Sequence, residues 1–181
     1  MNTISLEKEK TLIAGICLVA FFTLLMVISA FIRIPLFFTP VPLTMQTLVL
    51  FLSLVVLHRK AVFSQALYLV LGISGLNVFT NAGAGIVYIL GPTGGYLLGF
   101  LLAALIMPCF LPKQMSFFKS VLYFTLTASL VYFCGLSWLV FMHKMSFTSA
   151  MAAGVYPFIP GAIIKITLAS LFAARYVKNN C

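Results

Sequence analysis

The sequence predicts an all-α integral membrane protein with six transmembrane helices and both termini in the cytoplasm. Of its 181 residues, 63% are hydrophobic and only 7% are charged, and the mean hydropathy is +1.19. A soluble domain is about 25% charged, so this composition indicates a protein embedded in a membrane. The apolar residues form six runs, and the cations are concentrated in alternate connecting segments.

The first apolar segment extends from Thr11 to Ile32 and follows the charged sequence Glu7–Lys10. About 22 residues suffice to span a hydrocarbon core of ~30 Å at 1.5 Å per residue. A signal peptide has an apolar region of only about 7–15 residues. We therefore interpret this segment as a retained transmembrane helix, with residues 1–10 as a cytoplasmic stub.

Five further apolar segments follow: Leu43–Leu57, Ala61–Leu76, Tyr88–Leu111, Val121–Met142 and Tyr156–Val177. The first two of these are short and are divided only by residues 58–60. This pattern is typical of a helical hairpin with a tight turn, or of helices that cross part of the membrane. Residues 1–181 are expected to form a single membrane domain that ends in a cytoplasmic tail at 178–181.

The distribution of cations predicts the orientation. With the N-terminus inside, eight cations fall in cytoplasmic segments and two in outer segments, which agrees with the positive-inside rule. The inner set is Lys8, Lys10, Arg59, Lys60, Lys113, Lys119, Arg175 and Lys178, and the outer set is Arg33 and Lys144. The charges are too scattered to form a basic face, so we expect no nucleic-acid partner.

Three predicted outer loops are irregular but apolar. The loop Arg33–Pro42 contains three prolines and the adjacent Phe37 and Phe38, and proline prevents helix formation there. The other two are the small-residue loop Asn77–Tyr88 and the sequence Pro157–Gly161. Non-helical backbone at membrane depth is tolerated only where it is buried in protein or lines a cavity. We therefore expect these loops to roof an outward-facing pocket, with the first loop as its lid.

Lys165 is the only charged residue deep inside an apolar segment, and the only acidic residues are Glu7 and Glu9, ahead of the first helix. A charged side chain at the membrane centre costs roughly 2.5–17 kcal/mol, depending on the method. Its partner must be a polar neighbour, water or an anion from outside. A ligand-binding role is favoured over structural hydrogen bonding to carbonyls and over loss of the proton on burial.

Other polar residues near the outer side are candidate ligand contacts. Thr44 and Gln46 begin the second helix, and a glutamine amide suits an amide-like or ureido ligand because it offers both donors and acceptors. Interhelical hydrogen bonding explains them equally well. Asn81 and Tyr88 lie in or beside the second outer loop, where simple solvation is the alternative.

The sequence GPTGGYLLGF, Gly91–Phe100, is not a phosphate-binding loop because no lysine follows its glycines, so we expect no ATP site in this chain. Its glycines, Gly91, Gly94, Gly95 and Gly99, are spaced for close helix packing, which is the alternative explanation. The Thr93 hydroxyl and the Tyr96 phenol are its candidate ligand contacts.

Enzymatic and metal-binding functions are disfavoured. No acidic residue follows position 9, so carboxylate pairs and Asp-containing triads are unavailable. The cysteines, Cys17, Cys109, Cys134 and Cys181, lack metal-binding spacing, and His58 and His143 lie at opposite ends of predicted helices. A passive channel would need a continuous polar lining, whereas the polar positions cluster near the outer side.

Four motifs together resemble one known family. PVPLTMQTL, GLNVF, LGPTGGYLLGF and PFIPG followed by a lysine, in this order over nearly the whole chain, resemble the BioY biotin transporters, the substrate-binding S components of energy-coupling factor (ECF) transporters. The resemblance implies high-affinity capture and uptake of biotin across the cytoplasmic membrane of a prokaryote. It also implies either a T component and two ATPase subunits as partners or stand-alone transport, and it leaves self-association open.

The resemblance also implies a set of site residues. Gln46 matches the glutamine of the family's VPxxxQ motif, Tyr96 the tyrosine of GPTGGY, and Lys165 the lysine of PFxPGDxxK, in which Ala162 replaces the aspartate. Without that aspartate, biotin would bind at reduced affinity through another acceptor such as Gln46 or Asn81, or the preferred ligand would be another small anionic vitamin-like molecule. The full expected substrate-binding set is Lys165, Gln46, Tyr96, Thr44, Asn81, Tyr88, Gly94 and Gly161.

Overall fold

The computed structural model of the protein describes residues 3–37, 39–112 and 114–180. In this part of the chain it contains eight α-helices and one short β-hairpin. The predicted lid residue Phe38, the predicted cytoplasmic cation Lys113 and Cys181 lie outside the described residues. So do the side chains of the predicted cytoplasmic cations Lys8, Lys10 and Lys178.

The helices and strands are, in order: α1 Thr3–Phe31, β1 Arg33–Ile34, β2 Leu43–Thr44, α2 Gln46–Leu57, α3 Ala61–Ile73, α4 Gly85–Ile89, α5 Gly94–Ile106, α6 Phe117–Phe141, α7 Phe147–Gly154 and α8 Ile159–Asn180. Four helical stretches are long and apolar enough to cross a membrane: Thr11–Phe31, Gln46–Ile73, Phe117–Phe141 and Phe147–Val177. A shorter apolar stretch covers Gly94–Phe110.

Helix α1 is longer than predicted. It begins at Thr3 rather than at Thr11, so the charged stub continues the membrane-spanning segment as helix. One side of α1 packs against α2 and α3, where Met26 and Ala30 are buried. Its other side leaves residues such as Ile16 exposed. A helix that is apolar all round suits a position with lipid on one side and protein on the other.

Helices α2 and α3 form the predicted hairpin. The backbone of His58, with φ 52° and ψ −125°, breaks the helix, and residues 58–60 turn before α3 begins. The side chain of Gln46, at the start of α2, bonds to Tyr68 near the end of α3, so the two helices run back past each other. With 12 and 13 residues, each is about 18–20 Å long and therefore shorter than a ~30 Å hydrocarbon core.

Several boundaries differ from the sequence-based expectation, among them the starts of α2, at Gln46 rather than Leu43, and of α6, at Phe117 rather than Val121. The predicted segment Tyr88–Leu111 is divided into α4 and α5 around Pro92, whose ring interrupts helical hydrogen bonding. Helix α7 was not predicted. It has only eight residues, and it begins where the Ser146 hydroxyl caps the backbone N–H of Ser149 at 3.2 Å. The last helix begins at Ile159, after a single helical turn at Tyr156–Phe158.

Helices α5 and α6 contact each other closely at two glycines. A Cβ atom on Gly95 would lie 2.2 Å from the Cβ of Trp138 and 2.7 Å from the carbonyl oxygen of Cys134. A Cβ on Gly99 would lie 3.1 Å from the Cα of Val131. The close-packing explanation of these two glycines is therefore confirmed. Their small size lets the two backbones approach, as in other membrane helix pairs.

We predict that Gly95→Ala lowers thermal stability. The added methyl group meets backbone and a tryptophan Cβ, which cannot move without shifting a helix, so the expected cost is about 1–3 kcal/mol. Thermal unfolding in detergent, followed by the fluorescence of the single tryptophan, measures it. Leu102→Ala, on the exposed side of α5, is the control and should change the transition less. Equal unfolding temperatures for Gly95→Ala and the unchanged protein would contradict this account of the contact.

Candidate functional site

A cavity lies where the start of α2 meets the connecting loops, α5, α6 and α8. Its empty space, including the part that opens to solvent, is about 550 Å³. Its polar lining consists of Thr44, Gln46, Thr47, Thr80, Tyr88, Thr93, Tyr96, Tyr132 and Lys165. Its apolar lining consists of Val41, Pro42, Leu97, Phe100, Val131 and Phe158.

Lys165 provides the charge of the site. Its side chain is only 6% exposed, and its ammonium donates to the carbonyl oxygen of Thr44 at 2.5 Å and to the Thr47 hydroxyl at 3.0 Å. These contacts confirm the expectation of polar partners. Among the described residues Lys165 has no carboxylate partner. Because an ammonium carries three N–H donors, one remains for a ligand in the cavity.

Gln46 belongs to a hydrogen-bond chain beside Lys165. Its amide oxygen accepts from the Thr44 hydroxyl at 3.1 Å, and its amide nitrogen donates to Tyr68 at 2.8 Å. The Tyr68 hydroxyl donates in turn to the carbonyl oxygen of Val78 at 3.3 Å. The interhelical bonding considered from the sequence is therefore present, and it holds the amide at the cavity wall. One N–H and one lone-pair position of Gln46 remain for a ligand.

Tyr96 lines the cavity mainly with its ring. Its hydroxyl donates to the carbonyl oxygen of Gly154 at 2.7 Å, which joins α5 to the end of α7. The ring lies so close to Gly135 that a Cβ there would be 2.3 Å from it. Phe158 lies near this ring and near Tyr132, with centroids 6.5 and 6.4 Å away. These three rings give the cavity an aromatic wall.

The other predicted site residues are placed differently. Tyr88 lines the cavity and stacks on Phe79 at 5.0 Å. Asn81 does not line it, but lies in an adjoining groove that shares Tyr88 with the cavity. Gly94 and Gly161 also lie outside the lining. A Cβ on Gly94 would collide with the carbonyl oxygen of Ile89, and one on Gly161 would be 2.8 Å from the Leu43 side chain. Both glycines therefore permit close packing beside the site.

Several lining residues escaped the sequence-based reasoning, among them Thr47, Thr80, Tyr132 and Phe158. Thr47 follows Gln46 directly, but nothing in the sequence indicates that its hydroxyl accepts a bond from a residue 118 positions away. Phe158 belongs to the PFIPG motif, where its conspicuous neighbours are prolines. The position of Tyr132 inside a long apolar helix carries no signal that separates it from ordinary core.

The loop Arg33–Pro42, predicted to be the first outer loop, lines the cavity with Val41 and Pro42. Phe37, which the sequence analysis assigned to the lid, points away and is fully exposed. The loop is held in place by β1 and β2, which pair Arg33 with Thr44. The Thr39 hydroxyl also donates to the carbonyl oxygen of Ala153 in α7 at 2.6 Å.

Comparison with known proteins decides the family. The family model described as the BioY family matches residues 3–180. The chain belongs to the BioY family. It is 37% identical over 158 residues to the biotin transporter BioY of Thermotoga maritima, covering 87% of this chain and 92% of that protein. It is 34% identical over 165 residues to the probable biotin transporter BioY of Pyrococcus horikoshii, covering 91% and 96%.

A solved structure of this kind has a similar fold. The chain is similar to the S-component for biotin from an ECF-type ABC transporter, with a TM-score of 0.83 and 29% identity. The match covers 98% of this chain and 95% of that one. The membrane-protein class and helical architecture expected of a BioY chain are therefore confirmed, and the chain is a transporter component rather than an enzyme.

The position of Ala162 bears on this BioY site. It lies three residues before Lys165, one helical turn away on the same side of α8, but it does not line the cavity. Among the described residues, the polar groups that line the site are therefore one cation, one amide and several hydroxyl groups, and none of them is an acid. They also contain no cluster of His, Cys, Asp or Glu able to hold a metal ion. This chemistry suits a small, largely apolar anion.

We predict that Lys165→Met stabilises the ligand-free protein. The change keeps a side chain of similar length and removes a charge without an opposite charge, whose burial at membrane depth costs roughly 2.5–17 kcal/mol. This gain is expected to exceed the roughly 1–3 kcal/mol lost when the Thr44 carbonyl oxygen and the Thr47 hydroxyl lose their donor. Thr47→Val is the matched variant. It keeps the ammonium but removes one of its bonds, at a cost of about 1.5–3 kcal/mol.

Thermal unfolding of both ligand-free variants in detergent measures these effects, and the two should shift in opposite directions. If Lys165→Met unfolds well below the unchanged protein, the lysine is mainly a structural residue.

Proposed function

We propose that this protein captures biotin at the outer side of the membrane and mediates its uptake as the substrate-binding component of an ECF-type transporter. The observation that carries the proposal is that the Lys165 ammonium and the Gln46 amide line the same cavity, beside a wall of aromatic rings. The family and the similar S-component for biotin support biotin as the ligand. A different small anion, or a passive channel, is not favoured.

The cavity has a chemical counterpart for each part of biotin. A lysine only donates hydrogen bonds, so Lys165 would bind an oxygen acceptor, either the carboxylate or the ureido carbonyl. The Gln46 amide both donates and accepts, which suits the ureido N–H and C=O groups. The wall formed by Tyr96, Tyr132 and Phe158 would cover the apolar ring and chain. A site of few polar groups on apolar walls is typical of small-molecule binding.

We divide the predicted substrate contacts into residues that would touch biotin directly and residues that would support the site. Lys165, Gln46, Thr44, Tyr88 and Tyr96 line the cavity and are proposed as direct contacts. Asn81, Gly94 and Gly161 are proposed to act through packing or through the adjoining groove.

The membrane arrangement completes the proposal. We propose one membrane domain with six crossings, counting the α2–α3 hairpin as two and α4 with α5 as one. The eight-to-two distribution of cations supports cytoplasmic termini, in the cytoplasmic membrane of a prokaryote.

The chain has no phosphate-binding loop, so the energy for uptake would come from a T component with two ATPase subunits. Stand-alone transport is the alternative.

We predict that purified protein binds biotin one to one with nanomolar affinity and that Lys165→Met weakens this binding by about 10–150-fold. This range corresponds to about 1.5–3 kcal/mol for a hydrogen bond to a charged group. Titration calorimetry measures the affinity. Lys144→Met is the matched control, because it removes an exposed cation from the outer connection between α6 and α7, and it should bind as the unchanged protein does.

Ala162→Asp, with Ala162→Asn as its uncharged control, tests the missing acid in the same titration. Affinity that is unchanged or increased means that the parent is a biotin receptor that functions without this carboxylate. If the parent does not bind biotin and only Ala162→Asp does, the parent's ligand is another molecule and the proposed function is wrong.

We predict that Thr39→Val speeds biotin release by about two- to tenfold. The change removes the hydrogen bond that joins the covering loop to Ala153, and a neutral hydrogen bond contributes about 0.5–1.5 kcal/mol. Chase of labelled biotin from the detergent-solubilised protein measures the rate. Thr167→Val removes a comparable bond on an exposed side of α8 and should leave the rate unchanged. An unaltered rate in Thr39→Val would show that the loop does not limit release.

A further inference from the structure

A second cavity lies at the other end of α2 from the candidate binding site. It is formed where residues 55–60 meet α1, residues 108–112 with Met115, and the end of α8. Its empty space, including the part open to solvent, is about 1500 Å³. Gln46 lines the first cavity and Leu57 lines the second, so the length of α2, about 17 Å at 1.5 Å per residue, separates them. The biotin site does not use this second cavity.

One part of the second cavity is cationic. His58, Arg59 and Lys60 line it side by side and are exposed within it. Neither Arg59 nor Lys60 has a salt-bridge partner among the described residues. The position of Lys60 depends on α1, because a Cβ on Gly15 would lie 2.7 Å from the lysine ammonium. The absence of a side chain at Gly15 therefore lets this exposed cation lie against α1.

The rest of the second cavity is apolar. Leu18, Leu111, Met115 and Val177 contribute hydrocarbon to its lining. A free phosphate ion would engage the cations and leave this wall exposed to water. A phospholipid would use both parts, because it carries a phosphate and an acyl chain in one molecule. Basic pockets between transmembrane helices at the cytoplasmic side are known to hold anionic headgroups.

We infer that the second cavity binds one anionic phospholipid, with the headgroup phosphate on Arg59 and Lys60 and an acyl chain along Leu18 and Val177. The turn between α2 and α3 would then be held at the level of the headgroups. This inference does not depend on the identity of the transported substrate. A protein partner covering the same cavity is the competing occupant.

Native mass spectrometry of the full chain in neutral detergent tests the inference. The protein is titrated with dioleoyl phosphatidylglycerol, with dioleoyl phosphatidylcholine, which has the same chains, and with inorganic phosphate. The double variant Arg59→Gln/Lys60→Gln is compared with Lys119→Gln/Arg175→Gln. The second pair removes the same charge from exposed positions that do not line this cavity. Thermal unfolding in the same detergent, measured in parallel, serves as the check that each variant is folded.

We expect the unchanged protein to retain one phosphatidylglycerol in preference to phosphatidylcholine. Arg59→Gln/Lys60→Gln should weaken retention roughly 30-fold, since each basic residue near a membrane surface contributes about 1 kcal/mol. Lys119→Gln/Arg175→Gln should change it less than threefold.

Equal losses in the two double variants would overturn the inference, because net charge alone would then explain the attraction. Displacement of the lipid by millimolar inorganic phosphate would also overturn it, since the acyl chain would then contribute nothing. Absence of retained phosphatidylglycerol in the unchanged protein would overturn it as well and would favour a protein partner.

Discussion

The site depends on a buried ammonium that has no opposite charge among the described residues. Lys165 is stabilised by the Thr44 carbonyl oxygen and the Thr47 hydroxyl, which lie 121 and 118 positions earlier in the chain. The Thr44 carbonyl is available because the chain is not helical at that point. The N–H of Leu48, which would bond to Thr44 in a continued helix, bonds to Met45 instead, at 3.0 Å. The irregular loop and the buried cation therefore require each other.

The short helix α7 stabilises the same region from the other side. The last carbonyl groups of a helix have no partner within it, and two of them in α7 accept bonds from distant residues. Ala153 accepts from Thr39 in the covering loop, and Gly154 accepts from Tyr96 in the cavity wall. The end of α7 thus positions both the covering loop and the cavity wall at Tyr96. The glycine contact between α5 and α6 brings Tyr96 within reach of it.

The sequence was sufficient for features that depend on composition and local pattern. It predicted the α2–α3 hairpin from two short apolar runs, and it singled out Lys165 because the chain has so few charges. It also placed Gln46 and Tyr88 near the pocket. It could not show that Thr47 and Thr44 would be the partners of Lys165, because that pairing is tertiary. It missed α7, whose eight residues are too few for a clear period, and it assigned Phe37 to the lid although only the fold determines which side of the loop faces inward.

The uncompensated charge of Lys165 also bears on how the membrane potential acts on the protein. Moving one elementary charge across the membrane potential involves about 2.3 kcal/mol per 100 mV. If the site changes its exposure from one side of the membrane to the other, the empty site carries a positive charge through that field. A site holding a monovalent carboxylate is neutral and is not affected by it. Ligand binding would then make the change of exposure insensitive to the membrane potential. This difference between the empty and the occupied site follows from a single lysine with no acid beside it.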